Sequence, residues 1–133
     1  MVDAGPLYAY VDLDDAHHAA CLELLETHAG PLVVPELVIT EVAYLLGTRI
    51  GVDAEVRFIG DLAAGNFIPE PVAATDWLRV ADLVATYRYL PLGTVDASVV
   101  ATAERMKIND VATLDRRHFN VVRPATGDFR LLP

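Results

Sequence analysis

The sequence predicts an α/β fold in which a central, mostly parallel sheet of four to five short strands is flanked by helices. Short apolar runs alternate along the chain with longer segments whose apolar residues recur at helical spacing. The 133 residues are 53% hydrophobic, which is enough for one compact core and too little for two. Because no Gly-, Pro- or Ser-rich linker divides the chain, one domain is expected over residues 1–133.

The first half of the chain is predicted to contain two strands and three helices. Residues 2–3 form a short strand that ends in a turn at residues 4–6, because Pro6 cannot continue a strand ladder. Asp14 or Asp15 then caps a helix that ends near residue 30. A buried strand follows at residues 32–34, Pro35 opens a helix that ends before Gly47, and residues 52–64 form another helix.

Strands and helices continue to alternate in the second half. Residues 74–87 are predicted to form a helix whose core face carries Trp77, Val80, Ala81 and Val84. Thr94 caps the next helix, which ends near residue 106. Short strands are predicted at residues 67–69, 111–114 and 121–122. In parallel sheets of this kind, ligands bind beyond the carboxyl ends of the strands.

The net charge of −9 is the wrong sign for a protein that binds nucleic acid through a broad basic surface. The charge is uneven, however, since residues 1–78 contain 13 acids and two bases whereas residues 79–133 contain six acids and eight bases. A polyanion is therefore expected to approach through the C-terminal part, although a basic group there is also typical of a solvated face. The bases in question are Arg105, Lys107, Arg116, Arg117 and Arg123.

A cytoplasmic protein without membrane contact is expected. No segment reaches the roughly 20 apolar residues that cross a bilayer, and Asp3 stands where a secretion signal would carry Lys or Arg. Cys21 is the only cysteine, which excludes an internal disulfide and a cysteine-based metal cluster.

Two carboxylates interrupt helix faces that should be apolar. Glu41 shares a face with Leu37, Val38, Tyr44 and Leu45, and a buried carboxylate needs a cation or a hydrogen-bond donor. Asp96 shares a face with Val99, Val100 and Ala103. Its place in the first helical turn, where the helix dipole favours negative charge, is an ordinary structural reason for it.

Asp3 and Asp115 each follow a predicted strand, at the sheet edge where α/β folds place their chemistry. Taken singly, each of the four acids can be explained as a turn, loop or partnered core residue. Together they predict a cluster that repels itself unless cations are present. Oxygen ligands without Cys or a zinc-type His spacing favour one or two Mg²⁺ or Mn²⁺ ions. Such ions suit phosphoryl chemistry, because they lower the pKa of bound water and neutralise charge on the phosphate.

Two other classes of acid-pocket α/β protein fit the sequence poorly. A phosphatase of the haloacid dehalogenase type would carry a second aspartate two residues after the first, and Gly5 stands there. A receiver domain would carry a lysine after a late strand, but Lys107, the only lysine, precedes the strand predicted at residues 111–114.

Four segments carry the acids: Val2-Asp3-Ala4-Gly5-Pro6-Leu7, Thr40-Glu41-Val42, Val95-Asp96-Ala97 and Thr113-Leu114-Asp115-Arg116-Arg117-His118-Phe119. In order and spacing this set resembles the acidic motifs of PIN domains, in particular those of the bacterial VapC-type toxins. The resemblance covers almost the whole chain. One departure is at Ala4-Gly5, where many relatives have Thr or Ser after the first aspartate.

The resemblance implies a PIN-like nuclease domain that acts as a Mg²⁺- or Mn²⁺-dependent endoribonuclease. Asp3 and Asp96 match the positions that hold the metal most directly in the family. Glu41 and Asp115 match the acids that complete the catalytic pocket.

Three further residues are expected to support the four acids. Thr113 matches a small polar residue whose hydroxyl orients a carboxylate in the family. Arg116 and Arg117 are candidate contacts to substrate phosphates, because positive charge beside the acids would hold the RNA backbone.

The resemblance also implies partners. The first is a cognate VapB-type antitoxin, which blocks the acid pocket, often by inserting an Arg. The second is an RNA substrate, and the third is a second copy of the chain in a homodimer. The alternative is a PIN-like module with weak catalysis that binds RNA or another protein.

Overall fold

Four short strands and the residue Val2 form the centre of the computed structural model, which describes residues 1–133. Strand β1 (Val33–Pro35) pairs in parallel with β2 (Ile68–Glu70), and β3 (Asp110–Ala112) pairs in parallel with β4 (Arg130–Leu132). Val2 joins the two pairs, since its N–H donates to the carbonyl oxygen of Val33 at 2.9 Å and it forms a parallel bridge with Ala112. The order across the sheet is therefore β2, β1, Val2, β3, β4.

Seven helices cover this centre. They are α1 (Ala4–Val11), α2 (His18–Thr27), α3 (Glu36–Arg49), α4 (Val52–Ala63), α5 (Ala74–Thr86), α6 (Thr94–Met106) and α7 (Arg116–Phe119). A single cluster of 24 buried hydrophobic residues, which runs from Met1 to Val122 in sequence, forms the core between the helices and the sheet. No helix combines the length and the apolar character that crossing a bilayer demands.

The predicted α/β class with a parallel sheet flanked by helices is confirmed, but the N-terminal turn was wrong. Helix α1 begins at Ala4, directly after Asp3, and includes Gly5 and Pro6. Pro6 is tolerated because the N–H groups of the first helical turn have no partner within the helix, so the missing donor costs nothing there.

The predicted last strand at residues 121–122 was also wrong. The N–H groups of Val121 and Val122 both donate to the carbonyl oxygen of His118 at 3.1 Å, so these residues close the turn after α7. The last strand is β4, which pairs with β3. Val122 is buried, whereas Val121 is 48% exposed.

Three details of the predicted helices need correction. Helix α2 begins at His18, later than expected, because Asp15 Oδ1 accepts the N–H of His17 in a turn before the helix. Gly93 occupies the cap position of α6, which makes Thr94 the first helical residue. Helix α5 buries Asp76, Val80 and Leu83, while the expected core residue Trp77 is 48% exposed.

Helix α6 is the most deeply buried helix, with residues 97–103 all inaccessible to solvent. Two ion pairs fix it against α5: the guanidinium of Arg79 donates twice to Glu104 at 2.8 Å, and Arg105 Nε lies 3.0 Å from the buried Asp76. Asp76 also accepts the Ala73 N–H at 2.9 Å. The burial of α6 and the ion pairs at its C-terminal end therefore fix the helix against α5.

The buried hydroxyl of Thr102 in α6 has no hydrogen-bond partner, which predicts that its removal stabilises the fold. Thr102→Val keeps the shape and removes the unsatisfied polar group, so we expect the free energy of unfolding to rise by about 1 kcal/mol. The matched control, Thr102→Ser, keeps the hydroxyl and loses a methyl group, and it should destabilise the protein. Urea unfolding measures both, and equal loss of stability in the two variants would contradict the prediction.

Candidate active site

An open cleft of about 490 Å³ lies where Val2 and β3 end. Its walls come from α1, from Asp15 in the turn before α2, from α3, from the first turn of α6 and from the segment after β3. All four predicted acids, Asp3, Glu41, Asp96 and Asp115, line it. The structure therefore brings together carboxylates that are separated by as many as 112 positions in the sequence.

Asp3 is the most buried of these acids, at 5% exposure. Its N–H donates to the carbonyl oxygen of Ala112 at 2.9 Å, which fixes the residue at the end of the sheet. Burial, with smaller contributions from the charges of Asp96 and Asp115, raises the pKa of the Asp3 carboxyl to about 6, against the lowering effect of hydrogen bonds from Thr113 and Ala4. Ionised Asp3 is thus costly unless positive charge is present.

Thr113 connects two of the acids. Its buried hydroxyl donates to Asp3 Oδ2 at 2.8 Å and accepts the Asp115 N–H at 3.0 Å. One side chain therefore orients the Asp3 carboxylate and fixes the backbone of Asp115.

Gly5 allows α1 to approach the chain after β3. A Cβ atom at position 5 would lie 3.2 Å from the Cβ of Leu114, closer than side chains normally pack. The residue that departs from the family pattern near Asp3 therefore has a packing role here.

His118 is a site residue that the sequence analysis did not identify. Its Nδ1 lies 2.5 Å from Asp115 Oδ2 and 3.4 Å from Asp96 Oδ2, and its Nε2 lies 3.1 Å from the carbonyl oxygen of Leu90. Both ring nitrogens therefore lie within reach of oxygen atoms that accept hydrogen bonds. The sequence signal for His118 was its position three residues after Asp115. At this spacing Asp115 Oδ1 caps α7 by accepting the His118 N–H at 3.0 Å.

Asp96 stands in the first turn of α6, partly buried. Burial raises the pKa of its carboxyl, and the charges of Asp115 and Glu41 act in the same direction, while His118 and the Gly93 N–H lower it. One oxygen each from Asp96 and Asp115 and a ring nitrogen of His118 lie within 4.8 Å of one another, close enough to bind one ion.

Glu41 does not lie on the core face of its helix, which corrects the prediction. Helix α3 buries Val38, Val42 and Leu46, and at 100° per residue Glu41 stands about 100° from the centre of that stripe. The residue is exposed on the cleft wall. Partial burial and the charge of Asp3 raise the pKa of its carboxyl.

The basic residues differ in their positions relative to the cleft. Arg116 and Arg117 are exposed but do not line the cleft, and the Arg116 guanidinium donates to the carbonyl oxygen of Pro133. The one base on the cleft wall is Arg49, at the end of α3. Sequence reasoning gave Arg49 no role, because it lies in the strongly acidic half of the chain.

The donors of the cleft fit a hard divalent cation. They are carboxylate oxygens from five separate parts of the fold, since Asp15 in the turn before α2 lines the cleft together with the four predicted acids, and no sulfur lines it. The raised pKa values of Asp3, Glu41 and Asp96 reflect crowded and partly desolvated negative charge. Mg²⁺ and Mn²⁺ bind such oxygen ligands in proteins.

Comparisons with known proteins agree with this geometry. The family described as PIN domain matches residues 1–124. Ribonuclease VapC26 of Mycobacterium tuberculosis is 37% identical in an alignment that covers 100% of this chain and 99% of that protein. The crystal structure of VapC20, described as a sarcin–ricin loop cleaving toxin of the same organism, superposes with a TM-score of 0.82 at 19% identity, over 93% of this chain and 96% of that one. The resemblance noted in the sequence is confirmed: the chain belongs to the PIN-domain family, in its group of VapC-type ribonuclease toxins.

Proposed function

We propose that this protein is a toxin that hydrolyses internal phosphodiester bonds of RNA, with Mg²⁺ or Mn²⁺ bound in the acid cleft. The observation that carries the proposal is the convergence of Asp3, Glu41, Asp96 and Asp115 on one open cleft. The full-length similarity to a ribonuclease supports RNA as the substrate. One catalytic domain over residues 1–133 is part of the proposal and is supported by the single core cluster. Action in the cytoplasm is also part of the proposal.

The four acids have distinct parts in this proposal. Asp3 and Asp96 hold the metal most directly, while Glu41 and Asp115 complete the pocket and position water or a second ion. When bound, the ion supplies a water of lowered pKa and neutralises charge that develops on the phosphate. The protein keeps the acids in place through the Thr113 hydroxyl and the His118 ring.

A purely RNA-binding role explains the cleft less well. The five carboxylates that line the cleft repel the phosphates of RNA when no cation is bound, and Arg49 is the single base among the lining residues. A module that only binds RNA gains nothing from this cluster, whereas metal-dependent hydrolysis requires it.

Two protein partners are also part of the proposal: a VapB-type antitoxin and a second copy of the chain. The name of the relative VapC26 supports the first. Exposed hydrophobic residues offer a surface, because Val52, Val56 and Ile59 recur at helical spacing along α4 and are each at least half exposed.

Replacement of a metal-holding acid should abolish cleavage without unfolding the protein. Asp3→Asn and Asp96→Asn remove charge with little change of shape. We expect the rate at which a structured RNA is cleaved in Mg²⁺ to fall by more than about 100-fold, because even the loss of a residue that only hydrogen-bonds to a metal ligand can lower activity by up to that factor. EDTA should abolish the activity of the parent. The assay is gel analysis of purified protein freed of antitoxin, with circular dichroism as the fold check.

The matched control for this experiment is Glu23→Gln, which removes an exposed carboxylate on α2 outside the cleft. It should cleave like the parent. If Asp3→Asn and Asp96→Asn arrest cell growth as strongly as the parent, the nuclease proposal is wrong and an RNA-binding role replaces it.

Loss of the Thr113 hydroxyl should weaken metal binding. Thr113→Val removes the 2.8 Å hydrogen bond to Asp3 and the acceptor of the Asp115 N–H, so we expect the affinity for Mn²⁺ to fall roughly 10- to 100-fold. Thr113→Ser keeps the hydroxyl and should restore most of the affinity. Isothermal titration calorimetry with Mn²⁺ tests both variants, and identical affinities for Val and Ser would refute the role assigned to the hydroxyl.

The raised pKa of Asp3 predicts an unusual pH dependence of stability in metal-free protein. Between its ordinary value of 3.8 and about 6, the folded state keeps a proton on Asp3 that the unfolded state has lost. Stability from this group is therefore present at low pH and decreases as the pH rises through 6, by about 3 kcal/mol in total.

The measurement is urea unfolding of the parent and of Asp3→Asn, in EDTA, from pH 4 to pH 7. As the pH rises, the unfolding free energy of the parent should fall relative to that of Asp3→Asn. A difference that stays constant with pH would contradict the prediction. Protons should likewise compete with Mg²⁺, so the metal affinity of the parent should decrease below pH 6.

A further inference from the structure

We propose that Arg49 and Tyr8 form a subsite that binds the RNA backbone beside the phosphodiester that is cut. The inference rests on the proposed function, because it assigns a substrate contact within the same cleft. Arg49 supplies positive charge in a cleft whose four predicted acids are negative, and the charge distribution of the sequence did not indicate it.

The position of Arg49 is the first observation. Arg49 lines the cleft together with Glu41 and Leu45 of the same helix, at i, i+4 and i+8, so the three residues form one wall. It is the only Lys or Arg among the lining residues. A phosphate that enters the cleft therefore meets one positively charged side chain.

The second observation is that Arg49 is not neutralised within the protein. Its side chain is exposed, and no carboxylate lies within 4.0 Å of its guanidinium, whereas Arg79, Arg105 and Arg130 are all paired with acids. The guanidinium carbon instead lies 5.6 Å from the centre of the Tyr8 ring, which also lines the cleft. One guanidinium donor of Arg49 is directed to the Tyr8 hydroxyl, and the remaining N–H donors can bind an anion.

The distance from the acids determines what this subsite does. Eight residues of helix separate Glu41 from Arg49, a rise of about 12 Å. This separation places the guanidinium at a backbone phosphate away from the reacting one, and Tyr8 offers a ring on which an unpaired base can stack. Such a contact strengthens substrate binding and leaves the chemical step unchanged.

A structural role alone would have a different signature. A basic residue in the last turn of α3 also interacts favourably with the helix dipole. The helix-dipole effect changes the stability of the protein and does not change the RNA affinity of variants that are fully folded. A phosphate contact, in contrast, changes the salt dependence of RNA affinity.

The test is fluorescence anisotropy of a fluorescein-labelled RNA hairpin, with the full chain in an Asp96→Asn background and EDTA, where no cleavage occurs. Arg49→Gln, which preserves helix propensity, should weaken affinity about tenfold and lower the slope of log K against log salt by roughly 0.7. Arg49→Lys should keep the slope, and Tyr8→Leu should weaken binding without changing the slope.

The matched control is Arg57→Ala, which removes the other base of the acidic half. Arg57 lies on α4 outside the cleft and donates from Nε to the Asp53 carbonyl oxygen at 3.3 Å. Equal effects of Arg49→Gln and Arg57→Ala would reduce the result to net charge and overturn the proposal. A salt slope that is unchanged in Arg49→Gln would also overturn the proposal. This includes the case in which the double variant Arg116→Ala, Arg117→Ala changes the slope instead.

Cleavage kinetics of the protein with Asp96 intact separate this proposal from the proposed function. Arg49→Gln should raise KM with kcat unchanged. If the parent cleaves RNA and Arg49→Gln lowers kcat alone, the subsite is wrong while the nuclease stands. If the parent does not cleave RNA and Arg49→Gln still lowers the salt slope, the nuclease proposal fails and the subsite stands.

Discussion

The repulsion between carboxylates at the buried end of the sheet is the constraint on which the rest of the structure depends. Asp3 is almost inaccessible to solvent, and Asp96 and Asp115 add like charge to its surroundings. The protein offsets part of the cost itself, with the Thr113 hydroxyl on Asp3 and the His118 ring between the other two acids. A cluster that lowers stability and is nevertheless assembled from separate elements is typical of function.

Repelling groups would move apart if the backbone allowed it. Asp3 cannot move, because Val2 is held between β1 and β3 and the Asp3 N–H is bonded to Ala112. Asp96 cannot move, because α6 is buried and is tied to α5 by the pairs of Arg79 and Arg105. The repulsion is therefore kept within the cleft, where the field of the acids concentrates divalent cations.

Local patterns singled out acids that line the cleft, because strand ends and helix starts are visible over a few residues. Asp3, Asp96 and Asp115 were found in this way. Features that depend on distant partners were not: β4 becomes a strand only through its pairing with β3, and His118 joins the site through Leu90 and Asp96. Glu41 was assigned to the core because a helical pattern does not show which flank of the stripe borders a cleft. The packing of α1 against α3 likewise decides that Arg49 reaches Tyr8.

The hydrogen bond between Thr113 and Asp3 spans 110 positions in the sequence, and its consequence concerns synthesis. A ribosome that translates this chain makes Asp3 almost at once, but Ala112 and Thr113, which fix it, come more than a hundred codons later. Contacts between such distant segments form only after both have left the exit tunnel. The nascent chain therefore lacks an assembled cleft for most of its translation.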